Sequence, residues 1–361
     1  MKHYLFYIPS FGGGGAERVA AMLASQFSKN GKKVSFVVNY AEGPHRSLLT
    51  KDITLYEMNP SSKIASIFLF TAILRECKPD YIYCWGGICN IIGLIGAIFL
   101  RINNNVVISY RNLSDGEPKL GGKATYYFAS LLTRISKSTV CISSDVQAEL
   151  EIKYKACRKK MKIIYNPVDL EEICQKGKKT FPHNLEQYKK KPFLLSVGRF
   201  VEQKDFPTLL RAFHHIHKVI PHDLIILGEG PLEYDLKCLI RKLSLEERVI
   251  LPGFLQNPFP FFQAASLFVL ASIYEGFGNV FLEALASGTP VVSTDCPGGP
   301  KEILQNGKYG ILTPVRDEKA LADAVIYTLT NPISPETLYR RAEDFALDKI
   351  ALKYNGLFDN V

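Results

Sequence analysis

The strongest constraint on the fold is an alternation that runs along the chain, breaks, and starts again. In the first half, short apolar runs such as "YLFYIP" (4–9), "KVSFVVNY" (33–40), "YIYCWG" (81–86), "NVVISYRN" (105–112), "STVCISS" (138–144) and "MKIIYNPVD" (161–169) are separated by longer helix-forming stretches. "GAERVAAMLASQFSKNG" (15–31) reads as one such helix, stopped by Gly31. Strands that are apolar throughout and spaced by helices predict a parallel sheet covered on both faces. Residues 172–192, "EICQKGKKTFPHNLEQYKKKP", are polar and lysine-rich, and read as a domain boundary. The alternation then restarts with "FLLSVGR" (193–199), "DLIILGEG" (223–230), "RVILPGF" (248–254), "SLFVLAS" (266–272) and "TPVVSTD" (289–295). A chain of 361 residues, 47% hydrophobic, can build two cores. The reading is α/β: two doubly wound, Rossmann-like domains, residues 1–180 and 190–341, facing across a cleft.

Charge is divided unevenly. The net charge is +9, and residues 1–180 carry 25 basic against 14 acidic side chains. A basic first half is drawn to phosphates, of nucleic acid or of an anionic membrane. The eight cysteines show no CxxC or zinc-like spacing and several lie in apolar runs, which reads as packed, reduced thiols in a cytosolic protein. "MKHYLFYIPSFGGGG" lacks the apolar core of a signal peptide. The longest apolar run, "IIGLIGAIFL" (91–100), is too short to span a bilayer and reads as a core helix.

In sheets of this kind ligands bind at the carboxyl ends of strands, so chemistry is sought there. "YEGFGNVFLEALASGTPVV" (274–292) places Glu275 and Glu283 with seven residues between them, around the start of a helix. Asn279 reads as its N-cap, and free N–H groups at Gly278, Asn279 and Val280 would make an anion site. The two acids either flank one small polar ligand, or balance a helix dipole and sit in solvent. In "SVGRFVEQKD" (196–205) a strand ends at Gly198, followed by Arg199 and Lys204. Fixed cations there can neutralise a diphosphate leaving group without a metal, or can be plain surface charges. "CPGGPKEI" (296–303) is a further glycine turn into a helix. There is no D-x-D and no H-E-x-x-H, and the histidines of "FHHIHKVIPHD" read as a solvated face, so neither metal nor cofactor is expected. The glycines at 12–15 do not complete a dinucleotide fingerprint.

These stretches, together with "GGAER" (14–18), "NPVD" (166–169) and "LGEGP" (227–231), resemble in order and spacing the retaining glycosyltransferases of family 4, which have the GT-B fold. The resemblance covers essentially the whole chain. It implies that Arg199 and Lys204 hold the donor diphosphate, Glu275 contacts the donor sugar and Glu283 the ribose. It further implies that Gly198 and the backbone of Phe277, Gly278, Asn279 and Val280 meet sugar and phosphates, and that Phe254 lies near the base. Gly14 and Gly15 would let the first domain approach the phosphates and acceptor. A tail helix, 342–361, would pack back on the first domain, and the donor would be a UDP-sugar. One departure stands out: where many relatives carry a histidine after the strand "VVISY", this chain has Arg111 and Asn112. Arg111 either binds an acceptor phosphate or holds the loop.

"KLGGKATYYFASLLTRISKS" (119–138) mixes Lys119, Lys123, Arg134 and Lys137 with aromatic and aliphatic residues, which suits a membrane surface; the alternative is a core helix. A lipid-diphosphate-linked saccharide acceptor would explain both charge and apolar content. The expected protein is thus a glycosyltransferase moving a hexose or N-acetylhexosamine, metal-free, from a UDP-sugar to a glycan acceptor. It would be cytoplasmic and peripheral on the anionic inner membrane face, with no nucleic-acid partner. Alternatives are a GT-B epimerase or phosphorylase, or a basic nucleic-acid-binding module.

Overall fold

The computed structural model describes residues 1–12, 14–114 and 125–358. The chain divides into two compact units, Met1–Pro167 with Leu347–Val361, and Val168–Ala346.

The first unit holds strands β1 (His3–Ser10), β2 (Lys33–Tyr40), β3 (Thr54–Glu57), β4 (Tyr81–Cys84), β5 (Val106–Tyr110), β6 (Ser138–Cys141) and β7 (Met161–Ile163). Its helices are α1 (Gly15–Lys29), α2 (Lys63–Cys77), α3 (Gly87–Phe99), α4 (Ala129–Ile135) and α5 (Ser144–Ile152). The sheet order is β3-β2-β1-β4-β5-β6-β7, with every pairing parallel. The order reverses between β1 and β4, the place where such a sheet opens at its carboxyl end. One core is strongly aromatic: Phe6, Phe27, Tyr83 and Trp85 pack with Tyr354 and Phe358 of the tail. The tail residues belong to the last helix of the chain, Leu347–Asn355, and the turn after it. Tyr83 Oη donates to the Tyr354 carbonyl at 2.8 Å, and Tyr81 stacks on Phe358 with ring centroids 4.0 Å apart.

The second unit opens with α6 (Leu170–Gly177), whose start is capped by Asp169 accepting from the Glu172 amide. Its strands are β8 (Phe193–Val197), β9 (Asp223–Leu227), β10 (Val249–Gly253), β11 (Leu267–Leu270), β12 (Val291–Thr294) and β13 (Ile311–Thr313). The helices between them are α7 (Phe206–Ile216), α8 (Glu233–Lys242), α9 (Phe259–Ala264), α10 (Asn279–Ala286), α11 (Pro300–Ile303), α12 (Glu318–Thr330) and α13 (Pro335–Glu343); the tail helix is α14. The order is β10-β9-β8-β11-β12-β13, again all parallel. Here the reversal falls between β8 and β11, so their carboxyl ends lie side by side.

The lysine-rich stretch read as a boundary is folded onto the second unit, and the division falls earlier, at Pro167/Val168. Its few apolar residues decide this. Ile173 and Phe181 are buried, Phe181 stacks on Phe261 at 4.0 Å, and Asn257 donates to the Lys176 carbonyl at 3.0 Å.

Candidate functional site

The site is assembled at the switch point of the second sheet. After β8 the chain passes Gly198 and the exposed Arg199, then makes a short turn, Glu202–Lys204, before Asp205 caps α7. The Lys204 stem folds back over Gly198: a Cβ on that glycine would lie 3.2 Å from Lys204 Cε. The ammonium is thereby brought over the end of β8 and toward the loop that follows β11.

That loop carries Ser272 and Glu275. Lys204 Nζ lies 2.6 Å from Glu275 Oε1, and Ser272 Oγ donates to the same oxygen at 2.6 Å. Glu275 is 5% exposed and Ser272 is fully buried. Among the described residues both bonds to this carboxylate end on Oε1, so Oε2 remains its open acceptor. Two more contacts fix the backbone. Gln203 Nε2 donates to the Tyr274 carbonyl at 2.9 Å, and the Ile273 amide donates to the Gln203 carbonyl at 2.8 Å. The two loops are therefore laced together on either side of the ion pair.

The glycine turn after β12 supports Glu275 from below. The Glu275 amide donates to the Pro297 carbonyl at 2.9 Å. Gly298 has φ +119°, and a Cβ there would fall 2.0 Å from the Glu275 carbonyl oxygen. Only glycine fits that conformation and that approach. The buried Cys296 thiol beside the site is pushed up to about 12, first by burial and then by the Glu275 charge, and stays protonated at neutral pH.

Helix α10 starts at Asn279, and its N-cap is Gly278, with φ +89° and no side-chain cap. This corrects the sequence reading, which made Asn279 the cap. The chain needs a left-handed residue at the turn, and Gly278 supplies it. The Phe281 amide donates to the Gly278 carbonyl at 3.0 Å, and the amides of Asn279 and Val280 lie in the first turn of the helix. Phe277 is buried against Phe345. Glu283 is 7% exposed, one turn into the helix. The two acids are thus buried at one helix start and are not solvated surface charges. Phe254, just past β10, is 63% exposed.

In the first unit the expected residues are placed differently. Gly14 and Gly15 begin α1, but the Glu17 carboxylate already lies over them: a Cβ on Gly14 would be 2.3 Å from Glu17 Oε2. An acid there suits the helix dipole and disfavours a phosphate. Arg111 is buried. Its Nη1 donates to Tyr354 Oη at 2.9 Å and its Nη2 to Asn166 Oδ1 at 2.5 Å, and the guanidinium lies 4.5 Å from the Trp85 ring centroid. Arg111 thus ties α14 and the segment after β7 to the end of β5. Asn112 is half-buried, and its carbonyl accepts from Tyr126 Oη at 2.5 Å. Lys119 and Lys123 lie outside the described residues.

Sequence reasoning assigned no role to Ser272, Asn166 or Trp85, although Asn166 lies in the NPVD motif. Ser272 could have been found from its place three residues before Glu275 at a strand end. The other two are brought to Arg111 only by sheet order.

Residues 13–172 match the model described as Glycosyltransferase Family 4, and residues 177–345 the model described as Glycosyl transferases group 1. The chain is 31% identical to the N-acetylgalactosamine-N,N'-diacetylbacillosaminyl-diphospho-undecaprenol 4-alpha-N-acetylgalactosaminyltransferase of Campylobacter jejuni, covering 89% of this chain and 88% of that protein. It is 30% identical to an uncharacterized glycosyltransferase of Methanocaldococcus jannaschii, over 80% of this chain and 81% of that one. Among solved structures, Anabaena Alr3699/HepE in complex with UDP and glucose superposes with a TM-score of 0.81 at 20% identity, over the whole of both chains. The chain belongs to the family 4 glycosyltransferases and has the GT-B fold of two Rossmann-like domains.

Proposed function

We propose that this glycosyltransferase moves a hexose or N-acetylhexosamine from a UDP-sugar to a saccharide carried on a lipid diphosphate, with retention and without a metal, in surface polysaccharide or glycan assembly. The observation that carries the reading is the Lys204–Glu275–Ser272 group, set beside the start of α10, which has no side-chain cap. It offers a cation and the first-turn amides of a helix for phosphate, and a fixed carboxylate oxygen for a sugar hydroxyl. Support for the donor class comes from the Anabaena neighbour, described with UDP and glucose. Support for the acceptor class comes from the Campylobacter relative, whose name specifies a diphospho-undecaprenol acceptor.

In this mechanism the bond between the anomeric carbon and the diphosphate oxygen breaks while the acceptor oxygen bonds the same carbon from the same face. The acceptor proton passes to the departing phosphate oxygen, giving UDP and the glycoside. Lys204, Arg199 and the first amides of α10 take up the charge that develops on the leaving group. Glu275 positions the sugar through Oε2, and Glu283 holds the ribose. Phe254 borders the base. The work is done from the cytoplasmic side of a membrane, where the lipid-linked acceptor is available. The test is transfer of labelled sugar from a panel of UDP-sugars to a lipid-diphosphate-linked saccharide in EDTA. Product with one donor, carrying an α linkage when the donor is α, supports the reading; no product with any donor counts against it.

A further inference from the structure

Two neighbouring helices of the first unit carry apolar side chains on their outer sides as well as their inner ones. Helix α2 buries Phe70 and Leu74 together with Ser66 and Thr71, whose hydroxyls donate to carbonyls one turn back at 3.1 and 2.6 Å. It also exposes Ile64 (68%), Phe68 (66%) and Leu69. Helix α3 contains no charged residue. Apart from Gly87, every residue of α3 that is not buried is apolar: Ile88, Ile91, Ile95, Ile98 and Phe99. At spacings of three and four these form one stripe along the outer side of the helix. The helices lie against each other, for a Cβ on Gly96 would sit 3.1 Å from both Phe70 and Thr71 of α2. Helix α4 packs beside α3 and exposes Leu131, with Phe128 just ahead of it.

A helix on a water-facing surface carries polar residues on that side. An apolar stripe repeated on adjacent helices marks a partner or a membrane. Charge selects between them. The three helices hold one carboxylate, Glu76, against exposed Lys63, Arg75 and Arg134, and exposed Arg101 follows α3. A second copy of the chain would set like charges against like. An anionic lipid surface takes the apolar stripe into the acyl boundary and the cations among the head groups. Among the described residues no helix is long and apolar enough to cross a membrane.

We propose that α2 and α3 form the face by which this protein lies on an anionic bilayer, flanked by α4. The face is centred on α2 and on α3, the helix that the sequence alone reads as core. It extends the lipid-linked acceptor reading, and vesicle binding is read out separately from sugar transfer, so either can fail without the other.

The test uses the full chain and vesicles of phosphatidylcholine with and without phosphatidylglycerol, by flotation at low salt. The double variant Phe68→Glu/Ile95→Glu is compared with Ile152→Glu, an exposed apolar site on α5. Melting temperature and sugar-nucleotide binding report that each variant is folded. The expected result is binding that requires the anionic lipid and is weakened by about tenfold or more in the double variant, with no change for Ile152→Glu. A Phe68→Trp variant should also be quenched by brominated lipid. Equal binding of wild type and double variant overturns the proposal. So does a wild-type dimer that ignores vesicles and is dissolved by the double variant, which would make the face a protein interface.

Discussion

Lys204 Nζ meets Glu275 Oε1 at 2.6 Å in a place where both side chains are largely shielded from water. Neither residue is independent of the other. The cation that a sequence reading assigns to phosphate is also the counter-charge of the acid assigned to the sugar. Removing one partner of a buried pair leaves the other uncompensated.

Lys204→Ala should therefore do two things at once. The loss of charge stabilisation predicts a fall in kcat of about 10²–10³-fold. The orphaned Glu275 predicts a loss of stability of about 3–5 kcal/mol. Steady-state kinetics and chemical denaturation check both, and a fully stable but inactive variant would mean the pair is weaker than its geometry implies.

Ser272→Ala tests positioning apart from charge. Without the hydroxyl, the carboxylate keeps one bond to Oε1 and gains freedom to rotate. The expected loss is about ten- to hundredfold in kcat/KM for the sugar nucleotide. Affinity for UDP alone, measured by calorimetry, should not move, because Ser272 acts through Glu275.

Gly298→Ala places a methyl group against the Glu275 carbonyl at a backbone conformation that alanine avoids. The second unit should lose about 1–3 kcal/mol, and donor binding should weaken although no ligand-facing side chain has changed. Thermal melting with and without UDP checks this; unchanged melting would show that the turn can relax.

Arg111→Lys should not rescue Arg111→Ala. Lysine cannot bridge Tyr354 and Asn166 while stacking on Trp85. Both variants should lower stability by about 1–3 kcal/mol. Both should raise hydrogen exchange in α14, with UDP binding unchanged. A lysine variant with normal exchange but poor acceptor use would return Arg111 to an acceptor role.

Much of this was legible from the alternation of apolar runs and helices. Eleven of the strands could be read directly. The two that could not, β3 and β13, are the outermost strands on one side of each sheet and are short. An edge strand buries less and carries a weaker apolar signal. Glu275, Glu283, Arg199 and Lys204 stood out because strand ends are where such sheets bind ligands. The direct Lys204–Glu275 bond did not, since it depends on β8 and β11 being neighbours, which local pattern cannot supply. The outward stripe of α3 was hidden for a simpler reason. An apolar run looks the same in sequence whether its outer side meets protein or solvent.

In the proposed mechanism the two acids and the α10 start bind one sugar nucleotide. Saturation-transfer NMR with a panel of nucleotide sugars in EDTA, on wild type and Glu275→Gln, tests it most directly. The wild type should bind one UDP-sugar selectively. The variant should show weakened contact at the sugar protons, with the uridine signals retained. Binding of no nucleotide sugar, or identical sugar and uridine signals in both proteins, would contradict it.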